Sequence, residues 1–294
     1  MRGRRKKNNR KSKWVKIRRS IMVGILAQLH YNGVKRLYME MAQLGLFWLL
    51  GLLTGVMAGF FGIGGGMVIV PTLLLAGYSY DGAVGISVVQ MACSSVVGSW
   101  SNFKKGLLDW KVGIYVGLGG LIGASFSGFI LSVVPHKVLL GIFIAITIYS
   151  FWRFLFIKAS SQVPFKTLEP NPKDKGILIG IGVLTGIFAI SLGIGGGVLM
   201  VSMLSYYFGL SPKQSVPLGL FFVVFSSFSG VLSLMQQDFL GPANLQGGFI
   251  VGIGSILGVM GGVRLMPLVS NVWHRRCLLG VYALSILISI YKLF

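Results

Sequence analysis

The chain has 294 residues, of which 54% are hydrophobic and 11% charged, with a mean hydropathy of +0.80. No ordinary soluble domain is that apolar, and the short alternating segments of a membrane β-barrel are not present in the sequence. The formal net charge of +21 is largely a local feature, because thirteen of the 27 Lys and Arg residues precede residue 40, in MRGRRKKNNRKSKWVKIRRS and VKRLY. No folded nucleic-acid-reading module accompanies that run, so a nucleic-acid partner is not expected. It reads as an anchor on anionic lipid headgroups or a tail that fixes orientation, and a start at Met39 or Met41 is a third reading. The two cysteines, Cys93 and Cys277, fit neither a disulfide framework nor a metal-ligand spacing.

From Leu44 onward, apolar runs of membrane-spanning length follow one another, and ten segments are predicted. They cover roughly 44–61, 64–78, 83–101, 112–131 and 137–157, then 177–192, 196–210, 214–235, 245–266 and 273–293. KASSQVPFKTLEPNPKDK (158–175), polar and carrying three prolines, separates the two sets.

The two sets are one unit written twice. GLLTGVMAGFFGIGGGMVIV (51–70) laid on GVLTGIFAISLGIGGGVLMV (182–201) matches at eleven of twenty positions. Ser94-Ser95 falls on Ser226-Ser227, Gly98 on Gly230, and GLGGLIG (117–123) on GIGSILG (252–258). The expected organisation is a basic tail (1–43), repeat 1 (44–157), a polar linker (158–175) and repeat 2 (176–294). In each repeat the second segment is short of a full span, so the first pair is either two short spans or a re-entrant hairpin; both return the chain to its starting side, and three crossings follow. An odd repeat inverts its successor, so the fold class is an all-α membrane protein of two inverted-topology repeats, each of about five helical segments.

Charge placement agrees with that parity. Lys104, Lys105, Lys111, Arg153, Lys158, Lys166, Lys173, Lys175, Lys213, Arg264, Arg275 and Arg276 fall on one side, and after residue 43 only Lys137 and Lys292 fall on the other. The positive-inside rule then puts the linker in the cytoplasm of a multi-pass cell-membrane protein. The basic tail falls on the opposite side, against the same rule, unless residues 20–34 also cross.

GFFGIGGGMVIVP (59–71) and ISLGIGGGVLMVS (190–202) place glycine, a poor helix former, where helices should run. Interrupted backbone inside a membrane must be buried in protein or meet a ligand. Helices starting after Gly66 and Gly197 would aim free N–H groups and positive dipole ends beyond the break, an arrangement suited to an anion. The candidate substrate-binding residues are therefore Gly62, Gly64, Gly65 and Gly66 with Gly193, Gly195, Gly196 and Gly197. Close helix packing is the competing reading, and it is the better one for Gly119/Gly123 and Gly258/Gly262.

The duplicated GIGGG, the first copy running on to Pro71, together with the glycine-rich fourth segment (GLGGLIGASFSG), resembles the signature of the TauE/SafE sulfite-exporter family over about 44–294. The resemblance implies a transporter of small sulfur-containing or organic anions such as sulfite and sulfonates. Two features depart from that pattern: Ser202 stands where the first copy has Pro71, and the basic tail is not a family feature.

In the third segment, Ser87, Gln90, Ser94 and Ser101 form one helical stripe. Ser94, Ser95, Ser226 and Ser227 join the candidate site because they align between repeats; bonding within or between helices is the other reading of such serines. No acidic residue falls in the middle of a predicted span, which disfavours a buried carboxylate relay. The leading expectation is a secondary transporter of small anions that uses alternating access and needs no cofactor or metal. The alternatives are a passive anion channel and a membrane-embedded enzyme, the latter lacking a nucleophile–base pair in the spans.

Overall fold

The computed structural model describes residue 41, residues 43–156 and residues 171–293, and all regular structure among them is helical. The chain divides into two units, residues 1–46 and 47–294, and the packing described below lies within the second. The basic tail, its expected lipid contact and most of the polar linker fall outside the described residues.

The elements are α1 (Gln43–Phe61), α2 (Gly66–Leu75), α3 (Tyr80–Lys104), α4 (Trp110–Ala124), α5 (Ser127–Val133) and α6 (His136–Phe156). After the linker come α7 (Pro172–Ser191), α8 (Gly197–Phe208), α9 (Pro212–Gln236), α10 (Pro242–Leu265) and α11 (Asn271–Leu293). Eight described helical stretches are long and apolar enough to cross a membrane. The two short helices, of 10 and 12 residues, reach only about 15 and 18 Å at the helical rise, roughly half a hydrocarbon core.

Local chemistry explains most boundaries. Ser79 caps α3 by accepting from the Gly82 N–H, and Asp109 caps α4. Asn171 with Asp174, and Ser211 with Gln214, build reciprocal capping boxes on α7 and α9. The short helices α2 and α8 differ: their N-caps are Gly65 and Gly196, and no side chain caps either.

The fourth predicted segment is one span that the structure divides into α4 and α5. The division has a tertiary cause. Ser233 of α9 accepts from the Gly128 N–H at 2.9 Å and donates to the Ser125 carbonyl at 2.7 Å, so a neighbouring side chain takes backbone groups at the seam.

The two sets of helices interlock through glycine. Gly51 and Gly55 of α1 press on the Val251 and Ser255 carbonyls of α10, while Gly182 and Gly186 of α7 press on Val116 and Gly120 of α4. A Cβ at any of these four positions would collide with backbone. The packing reading of Gly119/Gly123 and Gly258/Gly262 holds in the same seams. Helix α3 is antiparallel to α9: Gly85, near its start, meets Leu240 beyond the end of α9, and Gly98, near its end, meets Leu220 near the start of α9.

Basic side chains tie one end of the bundle together. Lys105 at the end of α3 donates to the Val263 carbonyl of α10 at 2.9 Å, and Lys213 at the start of α9 donates to Val269. Arg275 at the start of α11 donates to Leu155 at the end of α6. Large apolar side chains such as Trp100, Phe228, Ile253 and Leu287 are exposed on the outside, as a lipid-facing surface requires.

Candidate functional site

Where α1 and α7 stop, the backbone turns through left-handed geometry at matching glycines. Gly62, Gly64 and Gly65 have φ of 71°, 74° and 79°, and Gly193, Gly195 and Gly196 have 65°, 85° and 70°. Only glycine enters that region without steric cost, which is the local reason for GIGGG.

The two breaks meet, and their contacts are reciprocal. A Cβ on Gly64 would stand 3.1 Å from Gly195 Cα, and one on Gly195 the same distance from Gly64 Cα. Gly66 presses on the Gly193 carbonyl oxygen and Gly197 on the Gly62 carbonyl oxygen. Gly62 lies against Val216 of α9, and Gly193 against Val84 of α3. All eight candidate glycines are therefore brought into one buried centre.

The serines divide. Ser94 accepts from the Gln90 amide at 3.2 Å and bonds Met91 O at 3.4 Å. Ser95 bonds the Ala92 carbonyl, Ser226 that of Val223, and Ser227 those of Val223 and Val224, all on their own helices. Ser87 reaches across to the Gly193 carbonyl at 3.1 Å and so links α3 to the second break.

Three further residues stand at the centre that the aligned serines do not include. Thr54 of α1 donates to the Leu50 carbonyl, and its own carbonyl lies beside Gly65. Gln90 is fully buried, its Nε2 would lie 3.3 Å from a Cβ on Gly65, and its Oε1 has no partner. Phe222 of α9 lies on Gly196 as Gln90 lies beside Gly65. A spacing signal pointed to this pair: the serine alignment runs one residue longer than the glycine alignment, and that spacing places Gln90 opposite Phe222.

The arrangement offers backbone N–H groups at helix starts without side-chain caps, a neutral amide and several hydroxyls, with no carboxylate at the glycine breaks among the described residues. Donors of that kind can hold a small anion.

The chain matches the sulfite exporter TauE/SafE family over residues 47–288. It is 28% identical over 225 residues to a probable membrane transporter protein, YdhB, of Bacillus subtilis, a match covering 75% of this chain and 89% of that one. A second Bacillus subtilis probable membrane transporter protein, YjnA, is 28% identical over 83% of this chain and 97% of its own. A probable membrane transporter protein of Methanocaldococcus jannaschii is 28% identical over 77% and 82%. No solved structure matches. With its apolar helices and a match spanning nearly all of them, the chain belongs to the sulfite exporter TauE/SafE family of membrane transporters and is a multi-pass membrane protein.

Proposed function

We propose that the chain is a secondary transporter of small anions, of the class of sulfite, sulfonates or small organic acids, working by alternating access about the centre where the two broken helices meet. The single observation that carries this reading is the pair of helix starts at Gly66 and Gly197, without side-chain caps, buried, and each set against a carbonyl of the opposite break. Helix N-termini hold anions through N–H groups and the helix dipole without a fixed positive charge, so a bound ion is also free to leave.

The two halves act as inverted repeats in this reading. Support comes from the reciprocity of the contacts and from the antiparallel course of α3 and α9. Rocking one half against the other about that centre would expose it to each side in turn. The substrate carries any coupled proton in this reading, since no acidic residue stands at the centre among the described residues.

The test is uptake of sulfite, methanesulfonate and acetate by proteoliposomes containing purified protein. Saturable uptake with trans-stimulation by unlabelled anion supports a carrier. Non-saturating flux without exchange would identify a channel instead, and no flux of any of the three would overturn the substrate class.

A further inference from the structure

The two breaks share one backbone geometry but are not chemically equivalent. At the second break, the Gly193 N–H donates to Ile190 O, the Ile194 and Gly195 N–H groups to Ala189 O, and the Gly197 N–H to Gly195 O. At the first, Gly62 donates to Ala58 O, while the N–H groups of Ile63, Gly64 and Gly66, counterparts of Ile194, Gly195 and Gly197, donate to no described residue. Those of Gly65 and Met67 have no described acceptor either; the Gly196 N–H, counterpart of that of Gly65, also lacks one, so the backbone difference lies at Ile63, Gly64 and Gly66.

The side chains follow the same asymmetry. Phe222 fills the space at the second break between Gly196 and Gly120 of α4, so tightly that a Cβ on either glycine would collide with the ring. At the first break that place belongs to the Gln90 amide, and the counterpart of Gly120 is Ser255. The amide is wholly buried, and of its two Nε2 hydrogens only one has a described acceptor, the Ser94 hydroxyl, which leaves the other free to donate to an anion. Buried amides and N–H groups without partners are costly, and a cluster of them at one helix start marks a place where a ligand supplies the missing bonds.

We propose that the anion subsite is single and lies at the first break, held by the N–H groups at Gly65, Gly66 and Met67 and by the Gln90 amide, while the second break is its closed counterpart, sealed by Phe222. The assignment rests on the anion-transport reading above. Gln90 is the residue that turns a shared backbone device into a binding site. Phe222 keeps the repeat's fold without duplicating the site, so one anion is bound per chain.

The test combines transport kinetics in proteoliposomes with thermal stabilisation of the detergent-purified protein, using sulfite and methanesulfonate as probes. Gln90→Leu keeps the volume and removes the amide; Gln90→Glu keeps the size and polarity and removes the Nε2 donor. Both are expected to raise KM about tenfold or more and to abolish the anion-induced rise in Tm, as expected when a hydrogen bond to a charged ligand is lost. Phe222→Leu is expected to leave KM within about twofold, whatever it does to Vmax. Size-exclusion profiles and Tm without anion establish that each variant is folded, and Ser94→Ala, which frees the amide from its anchor, supplies a milder second change with an intermediate KM.

Unchanged KM and unchanged stabilisation in both Gln90 variants would overturn the subsite while leaving anion transport standing. So would a rise in KM in Phe222→Leu equal to that in Gln90→Leu. Wild-type protein that neither moves nor is stabilised by either probe would overturn the transport reading and the subsite together.

Discussion

Ser285 of α11 donates to the Met67 carbonyl of α2 at 3.0 Å, and Met67 is the residue four before Pro71. A proline has no N–H to give to the carbonyl four residues back, so Pro71 leaves Met67 O unclaimed inside its own helix. The α11 hydroxyl takes that place. In the second half Ser202 stands where Pro71 would be, and Ser150 of α6, the counterpart of Ser285, is buried without a partner.

Ser285→Ala is therefore expected to destabilise the protein by about 0.5–1.5 kcal/mol. In a Pro71→Ala background, where the helix supplies its own N–H, that cost is expected to shrink toward zero. A double-mutant cycle on Tm in detergent measures the coupling. Additive effects would show that the two residues act independently.

Glycines at the centre and in the seams are expected to differ sharply from glycines in open positions. Gly66→Ala and Gly197→Ala each push a methyl into a carbonyl of the opposite break, and overpacking of that kind costs about 1–3 kcal/mol or more. Gly64→Ala adds left-handed strain of about 1–2 kcal/mol to a tight contact. Gly141 and Gly180 lie inside α6 and α7 with nothing within 4 Å, so alanine there is expected to be neutral or to stabilise by up to about 1 kcal/mol. Thermal unfolding of the five variants gives the comparison, and equal losses at all sites would refute it.

Phe222 and Gly120 are expected to be strongly coupled. Phe222→Ala leaves a cavity and costs about 3–5 kcal/mol. Gly120→Ala alone forces the ring aside, whereas in the Phe222→Ala background the added methyl enters space already vacated. Its cost there is expected to vanish or change sign, and Tm values for the two single variants and the double decide it.

The inverted arrangement makes a labelling prediction. Lys104 and Gln236 are exposed at the ends of α3 and α9, helices that run in opposite directions. Lys104→Cys and Gln236→Cys, made in a Cys277→Ser background, should react with an impermeant maleimide from opposite faces of the membrane. Labelling of both from one face would end the inverted-repeat reading.

The ten apolar segments of the sequence reappear as helices within a few residues of their expected bounds, because span length, glycine clusters and capping residues such as Ser79 and Ser211 act over short stretches. The start of α2 at Gly66 and of α8 at Gly197 follows from GIGGG alone. The split between α4 and α5 is not legible in the sequence, since it is imposed by Ser233 from a helix about a hundred residues away. Repeat alignment favours Ser94, Ser95, Ser226 and Ser227 as a group, yet all four are bonded to carbonyls of their own helices, and Ser94 alone among them also accepts from Gln90.

Contiguous residues are enough to specify a multi-spanning helical membrane protein with two glycine-broken helices, because hydropathy, span length and left-handed turns are local properties. Tertiary packing alone brings the two breaks into contact, sets α1 on α10 and α7 on α4, and stands an amide at one break and a phenyl ring at the other. Those outcomes depend on how distant helices share volume: Phe222 fits only because Gly120 has no side chain, and Gln90 acquires its neighbours only when α1, α2 and α3 converge.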